Sequence, residues 1–178
     1  MLPMERIGYR RLSDVQPGNL VYLVEGQAPP ALALRLEHPG GETGAETYPS
    51  ALVLNAAAGG LRMPLVDPTK RSLYVIDLGA KPMVVWKAPL SVVPRTTQEH
   101  LGVGYFLLTT DGPVLSSLYV GGRGDLMYWN VSTGKQISIE YQEFIFVTQW
   151  SMGLPDTSGL FFPLLKFPDD FVPSENKR

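Results

Sequence analysis

Cysteine is absent from this chain of 178 residues, and histidine occurs only twice. Without thiols the protein has no disulfide, no thiolate nucleophile, no zinc–thiolate centre and no iron–sulfur cluster. Charged residues make up only 18% of the chain, and the net charge is −2 with no basic cluster. A nucleic-acid partner therefore has no electrostatic footprint in the sequence. The low charge instead indicates a surface that a partner, or the chain itself, covers.

Long apolar runs are missing as well. No segment approaches the roughly 20 apolar residues of a membrane-spanning helix, and residues 1–11 contain no apolar signal core. We therefore expect a soluble protein, with the cytoplasm as the default location and no membrane partner. No residue pattern typical of a cofactor site is present either, so no cofactor is predicted.

The chain is rich in hydrophobic residues, at 44%, and in residues that interrupt regular structure, with 18 glycines and 16 prolines. Frequent interruptions fit many short strands and fit a helical fold poorly. We predict an all-β, mainly antiparallel fold with very little helix. Its architecture is expected to be a β-sandwich or a partly open β-barrel of about nine to eleven short strands.

The clearest structural signal lies in residues 121–150. Two runs rich in β-branched and aromatic residues, 126–131 and 136–141, flank a short polar loop with a glycine at position 134, and they predict a hairpin. The second run alternates apolar and polar residues, which is typical of a sheet with one buried face and one solvated face. The apolar run 144–147 breaks this alternation, and it indicates either a bulge or a new strand.

Further strands are predicted from runs of alternating or β-branched residues. These runs cover residues 19–24, 31–37, 48–54, 61–66, 72–78, 83–87, 105–110 and 114–120. Those at 72–78 and 83–87 are expected to form one hairpin, and Asp111-Gly112 is expected to join the last two into another. Residues 51–58 are also compatible with a short helix. Residues 105–150 as a whole indicate a meander of four or five strands.

Residues 1–150 are predicted to form a single mainly-β domain, with a crossover or sub-boundary at 89–104. Residues 151–178 differ, because prolines recur there among large apolar side chains. Such a tail is expected to be irregular, yet it is too apolar to stay solvated. It would cover an open edge of its own sheet or reach a neighbouring subunit. The candidate interaction surface consists of Phe161, Phe162, Leu164, Leu165, Phe167 and Phe171.

Candidate catalytic groups are few. His38 and His100 lack the spacing of metal ligands and are interpreted as solvated loop residues. A Ser-His-Asp arrangement can be assembled from His100, Asp111 and either Ser116 or Ser117. No nucleophile-elbow pattern accompanies it, so this arrangement is a weak hypothesis.

Two other patterns have simpler explanations. Glu140 and Glu143 could form a glycosidase-type carboxylate pair, but alternation along a strand sends them to opposite faces unless a bulge intervenes. The triplet that begins at Asn130 matches a glycosylation sequon, and such matches are frequent by chance.

These observations favour a non-enzymatic protein-interaction or assembly module that self-associates as a homo-oligomer through the tail. A small-ligand-binding β-barrel is the alternative, and a hydrolase or lyase on a β-scaffold is the third choice. The sequence leans away from an enzyme because no catalytic constellation stands out.

Overall fold

The computed structural model describes residues 7–24, 30–40, 46–54, 73–86, 91–93, 102–118, 126–140, 143–147 and 149–167. Fourteen strands and one 3-10 turn, at Leu12–Asp14, lie in these ranges. The strands are β1 (Gly8–Arg11), β2 (Leu20–Leu23), β3 (Ala31–Gly40), β4 (Glu46–Val53), β5 (Tyr74–Asp77), β6 (Met83–Trp86), β7 (Ser91–Val93), β8 (Phe106–Thr109), β9 (Gly112–Leu118), β10 (Leu126–Asn130), β11 (Lys135–Ile137), β12 (Phe144–Val147), β13 (Trp150–Pro155) and β14 (Phe161–Phe167). The all-β prediction is confirmed. The strand count exceeds the expectation because β1, β7, β13 and β14 form in segments without a predicted strand.

Eleven of these strands form one sheet, in the order β1-β5-β2-β3-β11-β10-β9-β8-β12-β7, and β4 pairs with β3 off this path. The pairing is antiparallel except between β11 and β3, which run parallel and meet at Lys135 and Glu37. Among the described strands, no pairing joins β1 to β7, so this sheet is open. The remaining three strands form a second sheet in the order β14-β13-β6.

Strand β3 is buried on both faces. Leu32, Leu34 and Leu36 point into the main core, as their alternation predicts. Alternation along the strand would leave the opposite face polar and solvated, yet Arg35 on that face is only 4% exposed. The segment that follows β1 covers this face with Leu12, whose carbonyl oxygen accepts a hydrogen bond of 3.0 Å from Arg35 Nε. Burial lowers the pKa of the Arg35 guanidinium from its usual value.

Both hairpins in the second half of the chain are confirmed. Strands β8 and β9 pair around a turn at residues 110 and 111, with Gly112 as the first residue of β9, and β10 and β11 pair around the turn that contains Gly134. Strands β8 to β11 form a meander, but β12 returns to the free edge of β8 instead of extending the meander. The apolar run at Phe144 therefore begins a new strand. This return resembles the fourth strand of a Greek key, which lies beside the first.

The predicted hairpin between residues 72–78 and 83–87 is wrong. Strand β5 pairs with β1 on one edge and with β2 on the other, so it has no edge left for β6. Strand β6 pairs with β13 in the smaller sheet instead. Both runs are strands, as predicted, but in different sheets.

The predicted tail begins as regular structure. Residues 150–155 and 161–167 form the hairpin β13–β14, and residues 168–178 lie outside the described ranges. Pro163 lies on the edge strand β14 beside a bulge, a position at which sheets tolerate proline. The tail thus starts by covering its own protein: β13 and β14 pack onto the main core.

Some predicted elements can be placed only in part. Strand β4 shows that residues 48–53 are extended, as the strand prediction requires, whereas residues 55–58 of the alternative helix lie outside the described residues. The predicted strand at 61–66 and the crossover residues 94–101 lie outside them too. No helix in the described part of the chain has the length and apolar character needed to cross a membrane.

The contact between β3 and β11 is a backbone junction, which we call the seam. It consists of the single β3–β11 bridge and the two turns that contain Gly18 and Gly134. The Gly18 amide donates to the Arg35 carbonyl over 2.8 Å, and the Glu37 amide donates to the Gly134 carbonyl over 2.8 Å. Both glycines have positive φ, at 87° and 66°. A Cβ at Gly134 would lie 2.6 Å from the Arg35 oxygen, so no side chain fits there.

Candidate interaction surface

The smaller sheet has an inner face that belongs to the main core. Met152 and Leu154 of β13 are buried, as are their neighbours Leu165 and Phe167 of β14. At one end the ring of Trp150 stacks on Phe167 with 5.4 Å between ring centroids. The Trp150 indole N–H donates to the Gly104 carbonyl over 2.9 Å, so the polar atom of this buried ring is satisfied.

A bulge in β14 decides which side chains of the predicted tail reach the core. Met152 pairs with Leu165 and Gly153 pairs with Pro163, so Leu164 is the extra residue between them. Because the bulge shifts the alternation by one, both Leu164 and Leu165 pack against the main core.

The outer face of the smaller sheet is apolar and open. Val85 and Met83 of β6 are 46% and 37% exposed. Phe161 lies on this face over Gly153, since a Cβ at Gly153 would lie 2.9 Å from its ring. Pro163, next to Gly153 in the register, is exposed. Lys166 adds the one cationic side chain of β14.

Strand β6 is an edge strand with an unusual composition. Its four residues, Met83–Trp86, carry no charge, and Trp86 is 41% exposed. One edge pairs with β13, and within the described part of the chain nothing pairs with the other edge. An uncharged, apolar edge strand is a template for pairing with another strand, and proteins ordinarily protect such edges.

The six predicted surface residues divide into three groups. Leu165 and Phe167 are buried in the core, and Leu164 packs against it. Phe161 and Phe162 lie toward the surface, and Phe162 is 43% exposed. Phe171 lies outside the described residues.

The surface therefore includes β6, which the sequence prediction missed. The available signal was the uncharged run at 83–86, whose apolar residues do not alternate with polar ones.

A second candidate site is a groove of about 470 Å³ beside the β10–β11 hairpin. Its lining residues are Pro39, Leu126, Met127, Tyr128, Gln136, Ile137, Ser138, Ile139 and Glu140. Burial raises the pKa of the half-buried Tyr128 phenol. This volume lies within the usual range for small-ligand sites.

The described residues do not form the Ser-His-Asp arrangement that was considered from the sequence. The Ser116 hydroxyl lies within hydrogen-bond distance of the Gly102 and Tyr105 carbonyls, at 2.6 and 3.1 Å. The Ser117 hydroxyl accepts a bond of 2.9 Å from the Trp129 indole. Both serines are buried and hold the sheet together, and His100 lies outside the described residues.

The other candidate residues also have structural surroundings. His38 lies in β3 and is half-buried, so its interpretation as a solvated loop residue is wrong; its Nδ1 lies 2.7 Å from the Pro39 carbonyl oxygen. Glu140 and Glu143 are both exposed, and only Glu140 lines the groove. Within the described ranges, no three histidine or acidic side chains gather as metal ligands would.

Asn130, the first residue of the sequon, is buried. Its side-chain amide donates to the Asp111 carbonyl over 2.7 Å, and its side-chain oxygen accepts the amides of Ser132 and Thr133 at 3.0 Å. These bonds tie the β8–β9 turn to the β10–β11 turn. In the folded protein the side-chain nitrogen of Asn130, to which a glycan would attach, therefore already makes a hydrogen bond between the two turns.

Neither a protein-family model, nor a curated protein, nor a solved structure matches this chain. The functional argument therefore depends on the geometry alone.

Proposed function

We propose that this protein is an assembly module that self-associates by pairing β6 with β6 of a second copy. The observation that carries the proposal is the edge of β6 with which no described strand pairs, and whose residues are uncharged and largely exposed. Pairing would satisfy the open backbone donors and acceptors and would bury apolar side chains in the same step.

The sequence of β6 suits antiparallel pairing about a two-fold axis. With Val84 opposite Val84 of the second copy, Met83 lies opposite Val85, and each of these cross-strand pairs is apolar. Lys81 falls beyond the paired residues, where its charge stays in solvent. Each copy contributes its three strands, so the two smaller sheets become one continuous sheet.

Light scattering over a range of protein concentrations tests this proposal. We expect the full-length protein to be a dimer that dissociates on dilution. Val85→Lys places a charge opposite the partner strand, and we expect its dissociation constant to rise at least about tenfold. Leu160→Lys is the matched control: Leu160 is 67% exposed but lies outside β6, so its mass should equal that of the wild type.

A monomeric wild type at all concentrations would refute the proposal, and so would equal dissociation of both lysine variants. Substitution is a sharper test than truncation after Trp150. Truncation removes the strand that holds β6 in place, together with buried Met152, Leu154 and Leu165. It would disturb the fold before it reported on assembly.

Binding of a small ligand is the second candidate function, and the groove beside β11 favours it. A hydrolase or lyase has the least support, because the buried hydroxyls of Ser116 and Ser117 already make structural hydrogen bonds.

A further inference from the structure

We propose that the groove beside β11 binds a small organic amine cation. In this complex the Glu140 carboxylate pairs with the ammonium group, and the apolar body lies against Leu126, Tyr128 and Ile137. The inference develops the second candidate function and does not depend on pairing at β6.

The groove exists because two strands separate after a single bridge. Strands β3 and β11 meet at Glu37 and Lys135, and β3 then continues along β4, where His38 pairs with Tyr48. Pro39, the next residue but one after Glu37, has no N–H to donate toward β11. No further ladder hydrogen bond therefore joins the two described strands beyond Glu37. Residues 136–140 line the groove on the side opposite Pro39.

The floor of the groove offers an apolar surface with one hydroxyl. Tyr128 and Ile137 are cross-strand neighbours and are both half-buried. Within the described part of the chain, the hydroxyl of the half-buried Tyr128 has no hydrogen-bond partner. Because burial favours the neutral phenol, this hydroxyl is a hydrogen-bond donor at neutral pH.

The described residues of the groove's rim carry one formal charge, which is negative. Among the described lining residues, Glu140 is the one ionised side chain, and Gln136 and Ser138 are neutral and polar. Lys135 lies at the bridge between β3 and β11, where it pairs with Glu37, and it is not among the residues that line the groove. The groove thus favours a cation over a neutral molecule of equal shape, and disfavours an anion.

The size of the groove limits the ligand to a small molecule. A volume of about 470 Å³ accommodates one aromatic ring with a short chain, and the groove is open to solvent on one side. We therefore expect weak binding, in the millimolar range, for a probe of about ten heavy atoms.

The test compares 4-phenylbutylamine with 4-phenylbutan-1-ol, a neutral probe with the same carbon skeleton. Titration of the 15N-labelled full-length protein, followed by amide chemical shifts, gives both affinities and the site. We expect shifts centred on residues 126–128 and 136–140, and a preference for the amine of about threefold to fivefold, as for an exposed ion pair.

Two acidic substitutions separate a specific contact from general charge. Glu140→Gln should remove the preference, so that amine and alcohol bind equally. Glu143→Gln loses the same charge at an exposed residue outside the groove, and it should keep the preference. Tyr128→Phe should weaken both probes about equally, because it removes a hydroxyl that either probe can use.

Three results would overturn the inference: equal binding of the two probes to the wild type, equal effects of the two glutamine variants, or shifts that map elsewhere. The same titration on Val85→Lys keeps the two proposals distinguishable. Amine binding should persist in that variant whether or not the wild type is a dimer.

Discussion

The seam and the smaller sheet are held together in opposite ways. At the seam, two turns touch through backbone atoms, and the glycines leave no space for a side chain. In the smaller sheet, large side chains from β13 and β14 fill the main core on one face, while the other face stays open. The first region depends on backbone conformation, and the second depends on apolar burial.

This difference indicates where the chain tolerates change. A backbone junction has no flexible groups that could move aside, so even a methyl group is too large there. A sheet with one open face accepts substitution on that face and resists it on the other. The smaller sheet can therefore present a binding surface without loss of its own stability.

The largest expected effect comes from Gly134→Ala, which tests the seam. The new Cβ would lie 2.6 Å from both the Arg35 carbonyl oxygen and the Gly18 amide nitrogen, at a φ of 66°. We expect the free energy of unfolding to fall by about 4 kcal/mol, measured by urea denaturation.

Gly159→Ala is the matched control, since Gly159 has a φ of 78° but no atom within 4 Å of its Cβ position. It should cost only about 1 kcal/mol, the strain of the left-handed conformation. Equal losses in both variants would show that strain, and not close contact, governs the seam.

The next effect contrasts a buried and an exposed residue of β14. Leu165→Ala removes a side chain that is 2% exposed and packs in the main core, so it should cost about 3 kcal/mol. Phe162→Ala, at a residue that is 43% exposed, should cost less than about 1 kcal/mol. Denaturation of both variants at one protein concentration checks this, and a larger loss for Phe162→Ala would reverse the comparison.

The smallest effect concerns Tyr128 in the hairpin beside the seam. Its pKa is raised in the folded state, so the unfolded chain releases this proton first. Stability from the neutral phenol is complete below about pH 10 and is lost as pH rises further, until Tyr128 ionises in the folded state. The unfolding free energy of Tyr128→Phe should therefore fall less steeply above about pH 10 than that of the wild type, whereas parallel curves would contradict this.

Local patterns predicted the fold class and several strands correctly. The turn at Asp111-Gly112 and the loop at Gly134 specify their hairpins through residues that are close in sequence. Pairing between distant strands was not predictable in the same way. In the structure β5 pairs with β1 and β2, whereas β6 pairs with β13. Nothing in residues 72–87 indicates these partners, because strand pairing over such distances depends on tertiary packing.

The candidate surfaces show the same limit. Large apolar residues near the C-terminus predicted a contact with the chain's own sheet or with a neighbouring subunit. They did not show which residues face inward: the bulge at Leu164 places Leu165 and Phe167 in the core. The groove was not predictable, since it arises where β3 and β11 diverge. Likewise, Arg35 looks like a solvated residue in an alternating strand, and only the turn at Leu12 buries it.

The bridge between Glu37 and Lys135 also sets an order of events during synthesis. These two residues are about one hundred positions apart in the chain, and such distant contacts form late in folding. Until the β10–β11 hairpin has been made, the edge of β3 that faces β11 lacks its bridge at Glu37. A growing chain on the ribosome thus holds an incomplete sheet, and it closes the seam only after Lys135 has emerged.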